Sequence, residues 1–161
     1  METTSLIKET TQEQNDSAKM REEILRRLLK EQNYPPVLSY TCNCCWNVMR
    51  VQRRSLSKTH VQYLICLRDM QQISGLTQVH HDEIKNMTYK RYKRNVSDYP
   101  ILIDLGLMTS YDTEGYFRIT TKGLDFLQGK CKCIKSYYKV PNSDIIIWGS
   151  KMVSVMDILK Y

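Results

Sequence analysis

Three cysteines, Cys42, Cys44 and Cys45, fall within four positions beside Trp46 in the stretch YTCNCCWNVM, in a chain of 161 residues that holds six cysteines. Cys42 and Cys45 have the C-x-x-C spacing with which two thiolates grip one tetrahedral zinc from a tight turn. Such a site needs two more ligands. Cys131 and Cys133 are the best candidates by type, with His60, His80 and His81 behind them. Zinc is the one cofactor this pattern suggests. The competing reading is that the thiols are small apolar groups packed beside Trp46, as free cysteine often is. A redox pair would need the C-x-x-C after a strand in a βαβ setting, which the neighbouring pattern does not supply.

A second constellation is TYKRYKRN, where Tyr89 and Tyr92 alternate with Lys90, Arg91, Lys93 and Arg94. Such clustered cations can neutralise phosphates, and tyrosine can hydrogen-bond a phosphate or stack on an unpaired base. The plainer reading is a solvated basic face whose tyrosines cover the core. Arg50, Arg53 and Arg54 form a second basic run. In HHDE, residues 80–83, neighbouring helical positions diverge by about 100°, so these side chains cannot converge on one point and read as a polar surface turn. There is no nucleophile elbow, phosphate loop or dinucleotide fingerprint, and six scattered glycines leave nothing Gly-rich to cradle phosphate. The chain reads as a non-enzyme with no small-molecule substrate.

Charge points the same way. The 24 Lys and Arg against 17 Asp and Glu give a net +7. Residues 1–33 hold six basic and seven acidic side chains, so all of the positive excess lies beyond them. A basic domain with an acid-balanced extension suits a polyanion partner. No stretch approaches the ~20 apolar residues of a membrane helix, and the polar start METTSLIKETTQEQNDS is no secretory signal. A soluble protein of the cytoplasm is expected, where thiols stay reduced and structural disulfides are disfavoured.

Residues 1–16 are polar and read as a flexible segment. Over 17–33, Met20, Ile24 and Leu28 repeat every four residues with Leu25 and Leu29 beside them, an amphipathic helix that NYPP ends. A linker or turn then leads into the cysteine cluster. Ser57 is a plausible N-cap for a helix over 58–72 with Val61, Leu64, Ile65 and Met70 on its inner face, stopped by Gly75. A short helix follows in TQVHHDEIKNM, with TYKRYKRN continuing it or forming a basic loop. Ser97 and Asp98 open another, with Pro100 in its first turn and Ile101, Leu102 and Leu105 inward. The period then switches to alternation: LMTSY and YFRIT flank DTEG as a β-hairpin. Thr121 caps KGLDFLQG. Two strands around a Pro-Asn turn follow, and MVSVMDILKY reads as a strand or a last helical turn.

The stretch LIDLGLMTSYDTEGYFRITTKGLDFLQG, residues 102–129, resembles the third-helix, wing and fourth-helix segment of winged helix-turn-helix regulators. Leu105, Gly106 and Leu107 match the leucine-glycine-leucine that closes the third helix there. Ile119, Thr120, Gly123, Phe126 and Leu127 match the phrase that closes the wing. The order is also similar to that of uncharacterised winged-helix proteins of phages and mobile elements, with Cys42 and Cys45 where their leading C-x-x-C would be and Cys44 as a departure. The resemblance implies an α+β fold: a winged-helix domain over 38–161 with a leading cysteine cluster and a C-terminal β extension, preceded by the amphipathic helix. It implies a DNA-binding transcriptional regulator, acting in the host cytoplasm if viral. Yet SDYPILIDLG offers Asp98 and Asp104 but none of the usual donors to purine edges, and Asp112 and Glu114 make the wing tip acidic. The basic segment, and not the wing, would therefore supply much of the affinity for duplex DNA. The alternative is a protein-interaction module that docks on a host or viral protein, with residues 18–32 as a homodimer or partner seam.

Overall fold

The computed structural model describes residue 19 and residues 37–41, 48–110, 114–139 and 146–160. The 1–16 segment, the 17–33 helix apart from the helical, exposed Lys19, the cysteines at 42, 44 and 45, Trp46, Asp112 and the Pro-Asn turn lie outside these residues. The described fold is mixed helix and strand, and the chain divides into two compact units: residues 1–54 with 137–148, and residues 55–136 with 149–161. That division runs through the stretch read from the sequence as one domain.

The first unit is built on a four-stranded sheet. Its strands are β1 (Val37–Thr41), β2 (Val48–Ser55), β7 (Ser136–Lys139) and β8 (Ile146–Trp148), in the order β1-β2-β7-β8. β1 and β2 are antiparallel, from Val37 opposite Gln52 to Thr41 opposite Val48. Thus the chain before the cysteine cluster is a strand, where a linker or turn is the sequence expectation. Arg50, Arg53 and Arg54 lie on β2, where Val51 is buried and Gln52 and Arg53 are exposed. β7 and β8 are antiparallel, and the directly opposed Tyr137 and Trp148 rings lie 5.2 Å apart.

The second unit is organised around α1 (Lys58–Ser74), which packs on most of the other elements of that unit. Ser57 begins the helix, with the His60 ring Nδ1 accepting its N–H at 3.1 Å, and Gly75 ends it in the left-handed conformation at φ 64. The buried face carries His60, Val61, Tyr63, Leu64, Cys66 and Leu67. Ile65 and Met70, expected on that face, are only half-buried, because the inward stripe follows the 60/64/67 and 63/67 spacings of a 3.6-residue period.

After α1 come β3 (Val79–His80), α2 (His81–Tyr92), α3 (Pro100–Asp104), β4 (Met108–Ser110), β5 (Tyr116–Ile119) and α4 (Thr121–Leu127). The three strands form an antiparallel sheet in the order β3-β5-β4. Ile101, Leu102 and Leu105 are buried as their spacing predicts. Phe126 is fully buried, while Leu127 is half-buried. The Gln71 amide ties α1 to the sheet: its oxygen accepts the Ile119 N–H at 2.9 Å and its nitrogen donates to the Thr77 carbonyl at 2.6 Å. The chain closes with the antiparallel pair β6 (Cys133–Ile134) and β9 (Met152–Val153) and the short α5 (Val155–Leu159), so MVSVMDILKY holds both a strand and a helix.

The tightest joint in this unit lies between the end of α3 and the start of α4. Gly106 turns at φ 69, a backbone state that costs glycine little. The cap of α4 is Thr120, not Thr121: its hydroxyl accepts the Gly123 N–H at 3.0 Å and donates to the Gly106 carbonyl at 2.7 Å. Lys122 Nζ donates to the Leu105 carbonyl at 2.7 Å. Gly123 is needed for closeness: a Cβ there would stand 2.1 Å from the Leu107 carbonyl oxygen and 2.8 Å from Ile119 Cγ1. Since the nearer atom is backbone held in this corner, Gly123→Ala should destabilise the fold by on the order of 1–3 kcal/mol, the usual cost of overpacking. Urea unfolding of the variant beside the parent protein measures it.

Candidate nucleic-acid interface

The basic segment TYKRYKRN ends α2, so the helix continues through it to Tyr92. Two charged ends suit the helix macrodipole: Asp82 and Glu83 in the first turn, Lys90 and Arg91 in the last. Lys93 caps the helix in the left-handed conformation at φ 56 and donates its N–H to the Tyr89 carbonyl at 2.8 Å. Ile84 and Thr88 form the buried face, and Thr88 Oγ1 satisfies itself on the Ile84 carbonyl at 2.7 Å.

The four cations of this segment are not equivalent. Arg91 reaches back to α1 and donates to Asp69 Oδ2 at 2.5 Å, while Arg68 holds the other oxygen of the same carboxylate. Partial burial pushes the Asp69 carboxyl up, but the hydrogen bonds and charges of Arg91 and Arg68 outweigh it and hold the group below the usual carboxylate range. Lys90, Lys93 and Arg94 pair with no carboxylate among the described residues. Lys93 Nζ lies 5.7 Å from the centre of the Tyr89 ring and the Arg91 guanidinium 5.4 Å from that of Tyr92. Tyr89 is half-exposed and Tyr92 half-buried. Each ring therefore already has a cation against it, which favours contact with phosphate over stacking on a base. Lys85 is a cation that attention to the basic run alone misses. It is exposed one turn before Tyr89, and the spacing 85, 89, 93 on a helix could have found it.

Arg53 and Arg54 belong to the other unit, on β2, and both have further interactions. α3 is five residues long, begins at Pro100 and buries Ile101 and Leu102, so it presents no Arg, Lys, Asn or Gln to a groove. Glu114, the described acidic residue of the turn between β4 and β5, is exposed.

The start of α2 is set by an aromatic cluster, which corrects the reading of HHDE as a polar surface turn. His80 ends β3 and its ring nitrogen accepts the Asp82 N–H at 3.3 Å. His81 opens the helix with its N–H on the Gly115 carbonyl, and its ring centre lies 4.2 Å from that of Tyr99 and 6.3 Å from that of Phe117. Its Nδ1 lies 2.8 Å from the hydroxyl of the fully buried Tyr63. Burial raises the Tyr63 phenol, so its proton stays available for a neutral imidazole. These contacts join α1, α2, β5 and the residue before α3, and so aim the helix that carries the cations.

Of the cysteines proposed as zinc ligands, Cys133 is buried opposite Val153, and Cys131 is half-buried with its thiol donating to the Lys122 carbonyl at 3.7 Å. Burial pushes the Cys133 and Cys66 thiols up, away from the thiolate form. Among the described residues no group of three or more His, Cys, Asp or Glu is gathered for a metal, and no helix is long and apolar enough to cross a membrane. Cys42 and Cys45 lie outside those residues. Compared with protein families, curated proteins and solved structures, the chain shows no match to any.

Burial holds both His60 and His81 below the ordinary histidine value, partly offset by Asp98 and Asp82 respectively. Their contribution to stability is thus fully present above the unfolded value of about 6.5 and is lost as pH falls through the depressed folded values. Denaturant midpoints measured from pH 7.5 down to 5 should fall, before the carboxylates titrate, and His81→Gln should flatten that dependence.

Proposed function

We propose that this chain is a non-enzymatic winged-helix protein that holds the phosphate backbone of duplex DNA through the C-terminal end of α2, and that it serves as a transcriptional regulator of the kind its phage-like resemblance implies. The winged-helix assignment is supported by the order α1, β3, α2, α3, β4, β5 and by a three-stranded sheet in which the strand between the helices pairs with the second hairpin strand. The observation that carries the binding assignment is the trio Lys90, Lys93 and Arg94, exposed together where α2 ends and unpaired with any described carboxylate. Lysine heads act as compact point charges toward phosphate and read no sequence. A five-residue α3 without donors fits binding that depends on the backbone and not on base edges. The non-enzymatic part is supported by His60 and His81, whose ring nitrogens are engaged by Ser57 and Tyr63, and by buried thiols held protonated.

Fluorescence anisotropy with a labelled random-sequence duplex over a salt series tests this. Binding should weaken steeply with salt, with the logarithmic slope falling by about 0.9 for each phosphate contact removed. Alanine at Lys90, Lys93 and Arg94 together should lower both affinity and slope. Arg91→Ala alone should cost less than Lys93→Ala, because Asp69 already neutralises Arg91. Unchanged affinity of the triple variant at low salt would remove α2 from the interface.

A further inference from the structure

A second charged feature lies on elements that the duplex-binding reading does not use. The ladder of β6 and β9 pairs Cys133 with Val153 and Ile134 with Met152, and continues with the Lys135 N–H on the Lys151 carbonyl at 2.8 Å. The chain then turns into α5 through Ser154, which is locked in a reciprocal cap with Asp157. Between this pair of strands and α5 lies a cleft of about 450 Å³. Its walls carry Lys135, Lys151 and Lys160, and Val153 and Ile158, both nearly buried, lie at its base.

Three features of the cleft limit what it can take. The first is charge: among the described residues Lys151 and Lys160 face one carboxylate, with Lys135 beside them donating its Nζ to the Leu56 carbonyl, and that carboxylate accepts both the Ser154 N–H at 2.8 Å and the Ser154 hydroxyl at 2.7 Å. The second is apolar surface: Met152 lines the cleft at 49 % exposure, although a chain that could bury it would gain by it. Methionine is the apolar side chain that adapts to varied partners. The third is what the lining lacks. Among the described residues it has no aromatic ring on which a base could stack and no arginine fork for two phosphate oxygens, the features that mark nucleic-acid grooves. Three lysines around a hollow also fall short of the cluster of 4–8 cations typical of an anionic membrane surface.

We infer that this cleft docks an acidic linear peptide of a partner protein, with aliphatic or aromatic side chains seated on Met152, Val153 and Ile158 and carboxylates set against Lys151 and Lys160. A volume of about 450 Å³ falls in the ordinary range of ligand sites and suits two or three side chains of such a segment. The inference stands apart from the duplex-binding reading, which rests on α2.

The test is anisotropy of the full chain with a fluorescein-labelled, end-capped peptide, Asp-Leu-Glu-Phe-Asp-Leu-Glu, and with its counterpart in which every acid is lysine. The acidic peptide should bind saturably at micromolar concentration and weaken with salt, and the lysine peptide should not bind. Lys151→Glu with Lys160→Glu should weaken the acidic peptide by about tenfold or more. Met152→Ser should also weaken it, while Lys90→Glu with Lys93→Glu should leave it within about twofold. Circular dichroism confirms that each variant is folded. Three results would overturn the inference: no saturation by about 1 mM, affinity indifferent to reversal of Lys151 and Lys160, or loss of duplex DNA affinity on that reversal with DNA displacing the peptide. The last would make the cleft part of a nucleic-acid surface.

Discussion

The helical unit depends on how closely α4 approaches the carbonyl of Leu107. Only a residue without a side chain allows it, and Gly123 is that residue. Once the approach is made, the other bonds of the corner follow. The Thr120 hydroxyl can serve Gly106 and Gly123 at once, the Thr120 N–H reaches the Leu107 carbonyl at 3.1 Å, and Lys122 closes over Leu105. Phe126 then enters the core, and β4 is held where β5 can pair with it. β5 in turn carries β3, and β3 leads directly into His81. The direction of the cationic helix is therefore inherited, step by step, from one backbone contact.

Electrostatics divides the basic run between fold and surface. Arg91 is committed to Asp69 and so braces α2 against α1, in a pair whose carboxylate also receives Arg68. Arg91 itself is exposed, so what the pair adds comes from two arginines sharing one carboxylate more than from burial. Lys90 complements the helix dipole with no carboxylate partner among the described residues, while Lys93 and Arg94 lie beyond the last helical residue. Seen in sequence, TYKRYKRN looks like one patch; in three dimensions it is a strut and a remaining cationic surface.

Much of this was legible in the residues. The helix after Ser57, the hairpin around Gly115, the inward Ile101 and Leu102 and the turn at Gly106 all follow from local chemistry: caps, alternation and the few residues that tolerate a left-handed backbone. What escaped depends on partners distant in sequence. Nothing in HHDE announces that Tyr63, eighteen residues earlier, will meet His81, and nothing in the basic run says that Asp69 will claim its second cation. The strand character of residues 37–41 was hidden for the same reason, since it comes from pairing with β2. The lysine-walled cleft is assembled from Lys135, Lys151 and Lys160, which no window of the chain brings together.

The division of the chain has a spectroscopic consequence. Both tryptophans, Trp46 and Trp148, fall in the unit of residues 1–54 and 137–148, and Trp148 is 43 % exposed beside Tyr137. Helices α1 to α5 all fall in the other unit, whose aromatic residues are tyrosine and phenylalanine alone. Trp148, on β8, therefore reports on the four-stranded sheet, while the unit that carries the cationic helix contributes no indole at all. Indole is thus a label, placed by the sequence itself, on one of the two units of one polypeptide.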